Sequence, residues 1–387
     1  MFKDFKLLRK YYSELIRACF EERSLQPIPD GISEEDIIKY AIKGQIQYPI
    51  LSSLLKTNIS DCNIDRVRNI IKYSTITTFL QVATAKSVSA KLEEAGVKHQ
   101  LLKGAVIKDI YPSYEMRQMS DIDIIIYDES MDNATKIIEN MGFHNHGLVK
   151  HHIIFRNDNN ICIEAHWCLI DKNVDKKQHL YFKDNFKARL KEDTDYTYEF
   201  SVEDFYIYMI AHMAKHFYET GCGVRNLIDI YVYINRYKDE MDNSYLSKEL
   251  EGCGLKDFEY HARKLAYIWL DDEECSNFYE NLFAYMLDGG IYGKGENGIW
   301  SQLAKETDDG NNVKLHYYFP SYTYMKEKYK WLEHKKFLLP VAWGIRAAEA
   351  FCSRDSFKHM ENLESSSLDD VNTMLDIYHK LNLNYKR

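Results

Sequence analysis

The hydrophobic period of this chain changes twice, and those two changes narrow the folds open to it. Up to residue 95, apolar side chains recur every three or four positions, as in "EEDIIKYAIKGQIQYPILSSLLK" and "IDRVRNIIKYSTITTFLQVATAKSVSAKLEEAG". That is the spacing of helices that bury one face. Gly96 stops the second run in the manner of a C-cap. The apolar residues then come in short, β-rich runs. "VKHQLLK" (97–103) reads as a strand, and Gly104 opens a helix through "AVIKDIY" that Pro112 ends. "IDIII" (122–126) reads as a buried strand and "MDNATKIIENMGF" (131–143) as an amphipathic helix. "HHIIFR" (151–156) and "ICIEAHW" (161–167) read as a hairpin closed by "NDNN". From about residue 200 the helical period returns, opened by the capping box "SVED".

These readings predict an α+β fold: a small mixed sheet in β-α-β-α-β-β order, flanked by helices on both sides. The expected divisions are an N-terminal helical region (1–95), a mixed core (96–195) and a C-terminal helical domain (196–387). Only 6 prolines interrupt 387 residues, which suits long helices. At 45% hydrophobic and 28% charged, the composition is that of a soluble globular protein. The longest apolar run, "FLLPVAWGI", is too short to span a bilayer, and the charged N-terminus does not read as a signal peptide. A cytoplasmic location is the expectation. Eight cysteines with no CxxC pair read as free thiols rather than a zinc knuckle or redox dithiol.

The chemistry starts at "SDIDIII". Asp121 and Asp123 stand one rung apart at the mouth of an apolar strand and point the same way. Unpartnered carboxylates there repel and resist burial, so a cation should accompany them. In "ICIEAHW", Glu164 and His166 share the face opposite Ile163 and Ala165, which makes Glu164 the lone acid of that strand. Three carboxylates converging from neighbouring strands suit a hard divalent cation, Mg²⁺ or Mn²⁺. The competing reading makes the aspartates helix caps and pairs Glu164 with an arginine. "LLKGA" (101–105) adds a strand running into a glycine at a helix start, where backbone N–H groups can meet phosphate oxygens.

In that order, "KGA…SDIDIII…IEAHW" resembles the nucleotidyltransferase superfamily with the DNA polymerase β-type core. More narrowly, "LLKGAVIKDIYPSYEMRQMSDIDIII" is similar to the bacterial family of uncharacterised nucleotidyltransferases. "IEAHW", "AHMAKH…VRNLIDI" and "FPSYTYMKEKYKWL…LLPVAWGIR" are similar to that family's later segments. The resemblance implies transfer of a nucleoside monophosphate from an NTP such as ATP to a hydroxyl. Asp121 and Asp123 would hold the metal, with Glu164 as third ligand and activator of the acceptor. Gly104 would cradle the triphosphate, next to Ala105 where the superfamily often has serine. Lys103, Arg117 and Ser120 flank the acids and could contact phosphate; Arg117 could instead form a structural ion pair with one of the same acids. The acceptor, whether protein, small molecule or RNA, stays open, and the net charge of −9 leans away from RNA. A nucleotide-binding sensor on the same fold is the competing function.

His166 shares Glu164's face and could orient it, contact substrate or hydrogen-bond within the hairpin; one of His151 and His152 on the partner strand must face the same side, with His152 the candidate for such a role. His212 and His216 stand at i and i+4, a spacing that can bind zinc, though no glutamate follows the first and no third ligand is signalled. A zinc hydrolase built on that pair is a third reading; a core or substrate-side pair is the expected one. Arg225 and Asp229, one turn apart, are expected to pair with each other. "GKGENG" (293–298) mimics a dinucleotide fingerprint but follows no strand, so it reads as a flexible loop, and the basic "KEKYKWLEHKK" as a solvated helix face. Finally, Asp123→Asn is expected to leave the fold intact or slightly stabilised, because it removes one of two repelling charges.

Overall fold

The computed structural model describes all residues except 1–3, 22, 128–129, 150, 184–186, 295–296, 352, 384 and 386–387. Four helices open the chain: α1 (Lys6–Glu21), α2 (Glu34–Lys43), α3 (Gln47–Leu54) and the long α4 (Asp61–Glu94). The periodic run over α2 and α3 is broken between them at Gln45, which takes a left-handed φ of 52°. Gly96 ends α4 as expected. Its φ of 70° lets the Val97 N–H reach the Leu92 carbonyl at 2.9 Å.

The core follows as β1 (His99–Leu101), α5 (Gly104–Ile107), β2 (Ile122–Ile126), α6 (Met131–Asn140), β3 (His144–Val149), β4 (His152–Arg156) and β5 (Cys162–His166). The sheet order is β1-β2-β5-β4-β3, with β2 and β5 parallel and the other pairs antiparallel. The molecule is therefore α+β with a mixed sheet. The β4–β5 hairpin falls where "NDNN" places it. The first strand is shorter than 97–103, and the helix after Gly104 ends at Ile107 and continues as a 3-10 turn over Lys108–Ile110. Strand β3 was not foreseen: "HNHGLV" is polar, exposed throughout and carries a bulge, so neither alternation nor burial marks it.

One face of the sheet is apolar. Ile122, Ile124, Ile126, Ile163 and Ala165 pack with Val88 and Leu92 of α4 and Ala134 and Ile138 of α6. The other face carries Asp123, Ile125, Glu164 and His166. Ile125 joins a large second core that takes in both helical regions of the chain.

After α7 (Lys176–Tyr181) and a small hairpin, β6 (Ala188–Leu190) and β7 (Tyr198–Phe200), the C-terminal half is helical. It begins with α8 (Val202–Glu219) and α9 (Arg225–Tyr237). Ser201 caps α8 through its hydroxyl, which accepts the Asp204 N–H at 3.1 Å. The basic stretch at 326–336 is not one solvated helix. It breaks into short turns after Lys328, around a small core of Met325, Tyr329, Leu332 and Ala342. No helix among the described residues is long and apolar enough to cross a membrane. The seven described cysteines are free thiols; Cys352 lies outside the described residues.

Candidate active site

The polar face of the sheet forms one wall of a cavity of about 370 Å³, and α8 and α9 form the opposite one. Strand register builds the acidic wall. Asp123 on β2 lies directly opposite Glu164 on parallel β5, so both carboxylates point to the same side. Asp121 stands just ahead of β2 and also lines the cavity.

The cation demanded by the sequence is partly supplied from within. Lys103 Nζ donates to Asp123 Oδ1 at 2.7 Å, and His166 Nε2 lies 2.9 Å from the same oxygen. Burial pushes the Asp123 carboxyl up, but Lys103 and His166 outweigh it and hold it well below the usual range. Glu164 is also held low, its burial outweighed by His166, whose Nε2 is 3.5 Å from Oε2. Asp121 is the exception. Burial and the neighbouring Asp123 raise it to about 6, with Lys103 too little to offset them. No hydrogen bond engages its carboxylate among the described residues.

Lys103 is aimed by its backbone, which takes a φ of 45° immediately before the turn into α5. Gly104 is needed there for space: a Cβ would collide with Arg117 Nη1 and sit 3.0 Å from the Met119 Cβ. Ala105 does not line the cavity; it packs against the apolar face of the sheet. Ser120 lines it, and its Oγ pairs with the Gln45 side-chain amide at 2.9 and 3.2 Å.

Arg117 lines the cavity and forms a structural ion pair, but with a different acid from those expected. It forms a buried two-point ion pair with Asp229 on α9, Nε to Oδ1 at 3.2 Å and Nη2 to Oδ2 at 2.9 Å. Tyr111 donates its hydroxyl to Asp229 Oδ1 at 2.7 Å. Asp229 therefore pairs with Arg117 rather than with Arg225 one turn away. Arg225 instead donates through Nη1 to the Gln45 side chain and, at 3.0 Å, to the Gln118 carbonyl. Burial and Arg117 lower its pKa to about 10, and its Nε is buried without a hydrogen-bond partner. The same cluster holds Lys108, whose buried ammonium burial and Arg117 bring down to about 7.

Gln45, which holds Ser120, and the cavity-lining Tyr208, Arg225, Ile291 and Tyr292 were not visible in sequence as site residues. Gln45 and Ser120 are 75 residues apart, and nothing local in "KGQIQ" marks that contact. The loop at 289–298 thus walls the site over its first part; Gly295 and Glu296 lie outside the described residues. His212 and His216 face the cavity from α8 with their Nε2 atoms 2.9 Å apart, a hydrogen-bonded pair. His152 lies on the sheet side, Nε2 3.7 Å from Glu164.

An Asp-x-Asp segment entering a strand, a glutamate opposite it on the parallel neighbour, and a lysine-glycine turn beside both thus line one wall of the cavity. A family model described as "Uncharacterised nucleotidyltransferase" matches residues 30–271, more than half of the chain. The chain belongs to that family. No curated protein and no solved structure matches it.

Proposed function

We propose that the protein transfers a nucleoside monophosphate from an NTP to a hydroxyl of its acceptor, with Mg²⁺ or Mn²⁺ held at Asp121, Asp123 and Glu164. The observation that carries this reading is the imbalance of the acidic wall. Lys103 and His166 satisfy Asp123, while Asp121 stays uncompensated at the cavity surface. A hard divalent ion fits that oxygen-rich set. When bound, it would offset charge on the triphosphate and on the attacking oxygen.

The chain's own residues would do the rest. The acceptor oxygen forms a bond to the α-phosphorus, the bond from that phosphorus to the bridging oxygen breaks, and pyrophosphate leaves. Glu164 takes the proton of the acceptor hydroxyl at its carboxylate, which His166 keeps ionised. Lys103 and Arg225 would bring positive charge to opposite sides of the phosphates, and Ser120, held by Gln45, would orient them. Positioning and electrostatics carry most of such a reaction.

Thermal shift with each NTP, with and without Mg²⁺ or Mn²⁺, tests binding in wild type and Asp121→Asn; release of pyrophosphate from the same mixtures in cell extract tests transfer. The expected result is a metal-dependent rise with at least one NTP, absent in the variant, together with pyrophosphate release. A shift without release would make the protein a nucleotide sensor, and no shift at all would retire the nucleotide site.

A further inference from the structure

Five of the 14 histidines line this one cavity: His151, His152, His166, His212 and His216. Among them, His166 lies 2.9 Å from a carboxylate oxygen of Asp123, while His152 Nε2 stands 3.7 Å from Glu164. His212 and His216 satisfy each other, and no third ligand joins them among the described residues. The remaining two meet His166 at the β4–β5 hairpin. His152 is directly opposite His166 in the antiparallel register, and His151 precedes it, its carbonyl accepting the Trp167 N–H at 3.4 Å. The three ring centroids lie 4.8 to 5.7 Å apart, and one ring nitrogen from each falls within 4.8 Å of the others.

We propose that His151, His152 and His166 form a second cation site that takes a transition-metal ion such as zinc. Two observations beyond proximity point to an ion. His152 Nδ1 is buried without a hydrogen-bond partner, a cost that a bound ion would remove. His166 turns Nε2 toward Asp123 at 2.9 Å. In metal-bound histidines one ring nitrogen donates to a carboxylate in this way, which leaves the lone pair of the other for the ion. Three imidazoles suit zinc, cobalt or nickel, whereas the oxygen set beside them suits magnesium or manganese. Tetrahedral ligation would bring the nitrogens to roughly 3.4 Å from one another, a closure that side-chain rotation can supply. The site needs no nucleotide, so it stands or falls apart from the proposed transfer.

The test is metal content of tag-free protein after exposure to zinc and exhaustive dialysis, in wild type, Asp121→Asn and the double variant His151→Asn/His152→Gln. Wild type and Asp121→Asn should each retain about one zinc per chain, and the double variant should lose it. A wild-type protein loaded with Cu²⁺ gives a readout that needs no variant: nitrogen superhyperfine splitting in its electron paramagnetic resonance spectrum. Failure of wild type to retain zinc, or absence of nitrogen coupling, overturns the site. So does undiminished retention in the double variant, and so does equal loss in Asp121→Asn, which would reduce the ion to the carboxylate centre.

Discussion

The two walls of the cavity treat charge in opposite ways. On the helical wall, Asp229 is buried and fully engaged: Arg117 grips it at two points and Tyr111 adds a third bond. On the sheet wall, Asp123 is engaged in the same manner by Lys103 and His166, but Asp121 beside it is not. A carboxylate with all its partners in the fold has its energy settled by folding. One left raised and uncompensated at a cavity surface is in deficit until something binds. The difference sets Asp121 apart from Asp229 within a single pocket, where residue type and burial alone would not.

The largest expected effect tests the sheet wall directly. Asp123→Asn should lower nucleotidyl transfer by ~10³-fold or more, since it removes a carboxylate facing the proposed metal and loosens Lys103 and His166 together. Initial rates of pyrophosphate release measure it. The structure also reverses the expectation that this substitution is neutral or stabilising for the fold. Lys103 would lose its partner, at a cost of ~1–3 kcal/mol, moderated because its ammonium is partly exposed and Asp121 is near. A variant that unfolds at wild-type denaturant concentration would show that Asp123, too, is uncompensated.

The second comparison sets two arginines that meet at the helical wall, Arg117 from the segment before β2 and Arg225 from α9, against each other. Arg117→Met should strip Asp229 of its counter-ion in the interior and cost ~3–5 kcal/mol of folding stability. Arg225→Gln leaves that pair intact. It should weaken NTP binding by roughly 10- to 100-fold, the worth of a charge-assisted phosphate contact, with a smaller loss of stability. Urea denaturation and nucleotide titration on both variants separate the roles. If Arg225→Gln lost as much stability as Arg117→Met and no affinity, both arginines would be structural.

These roles show how far the sequence could be read. The fold class was legible because it rests on hydrophobic period and on glycine at Gly96, both local. Asp121, Asp123 and Glu164 were legible because strand alternation fixes which side each faces once the strands are found. The partners of the charges were not. Asp229 has an arginine one turn away on its own helix and another 112 residues back, and only packing selects Arg117. Gln45 reaches Ser120 from the N-terminal helices for the same reason. Gly104 was readable as a glycine opening a helix, but the neighbour that keeps it small, the Arg117 guanidinium, lies outside any local pattern.

The smallest effect is the most diagnostic of the comparison, because its sign depends on metal and pH. Asp121 has its pKa raised to about 6 by burial and by Asp123, against an ordinary value of 3.8, so its ionised form opposes folding. That penalty is fully present above the folded value and fades as pH falls toward the unfolded one. Without metal, Asp121→Asn should therefore be more stable than wild type by ~1–3 kcal/mol near pH 8, and the gap should close near pH 4. With saturating Mg²⁺ and NTP the order should invert, because only wild type gains from binding. Thermal unfolding of both proteins in chelator at the two pH values, and then with metal and nucleotide, gives all three quantities. A gap that ignored pH would mean that Asp121 is already balanced within the fold, and the distinction between the two walls would fail at its most sensitive point.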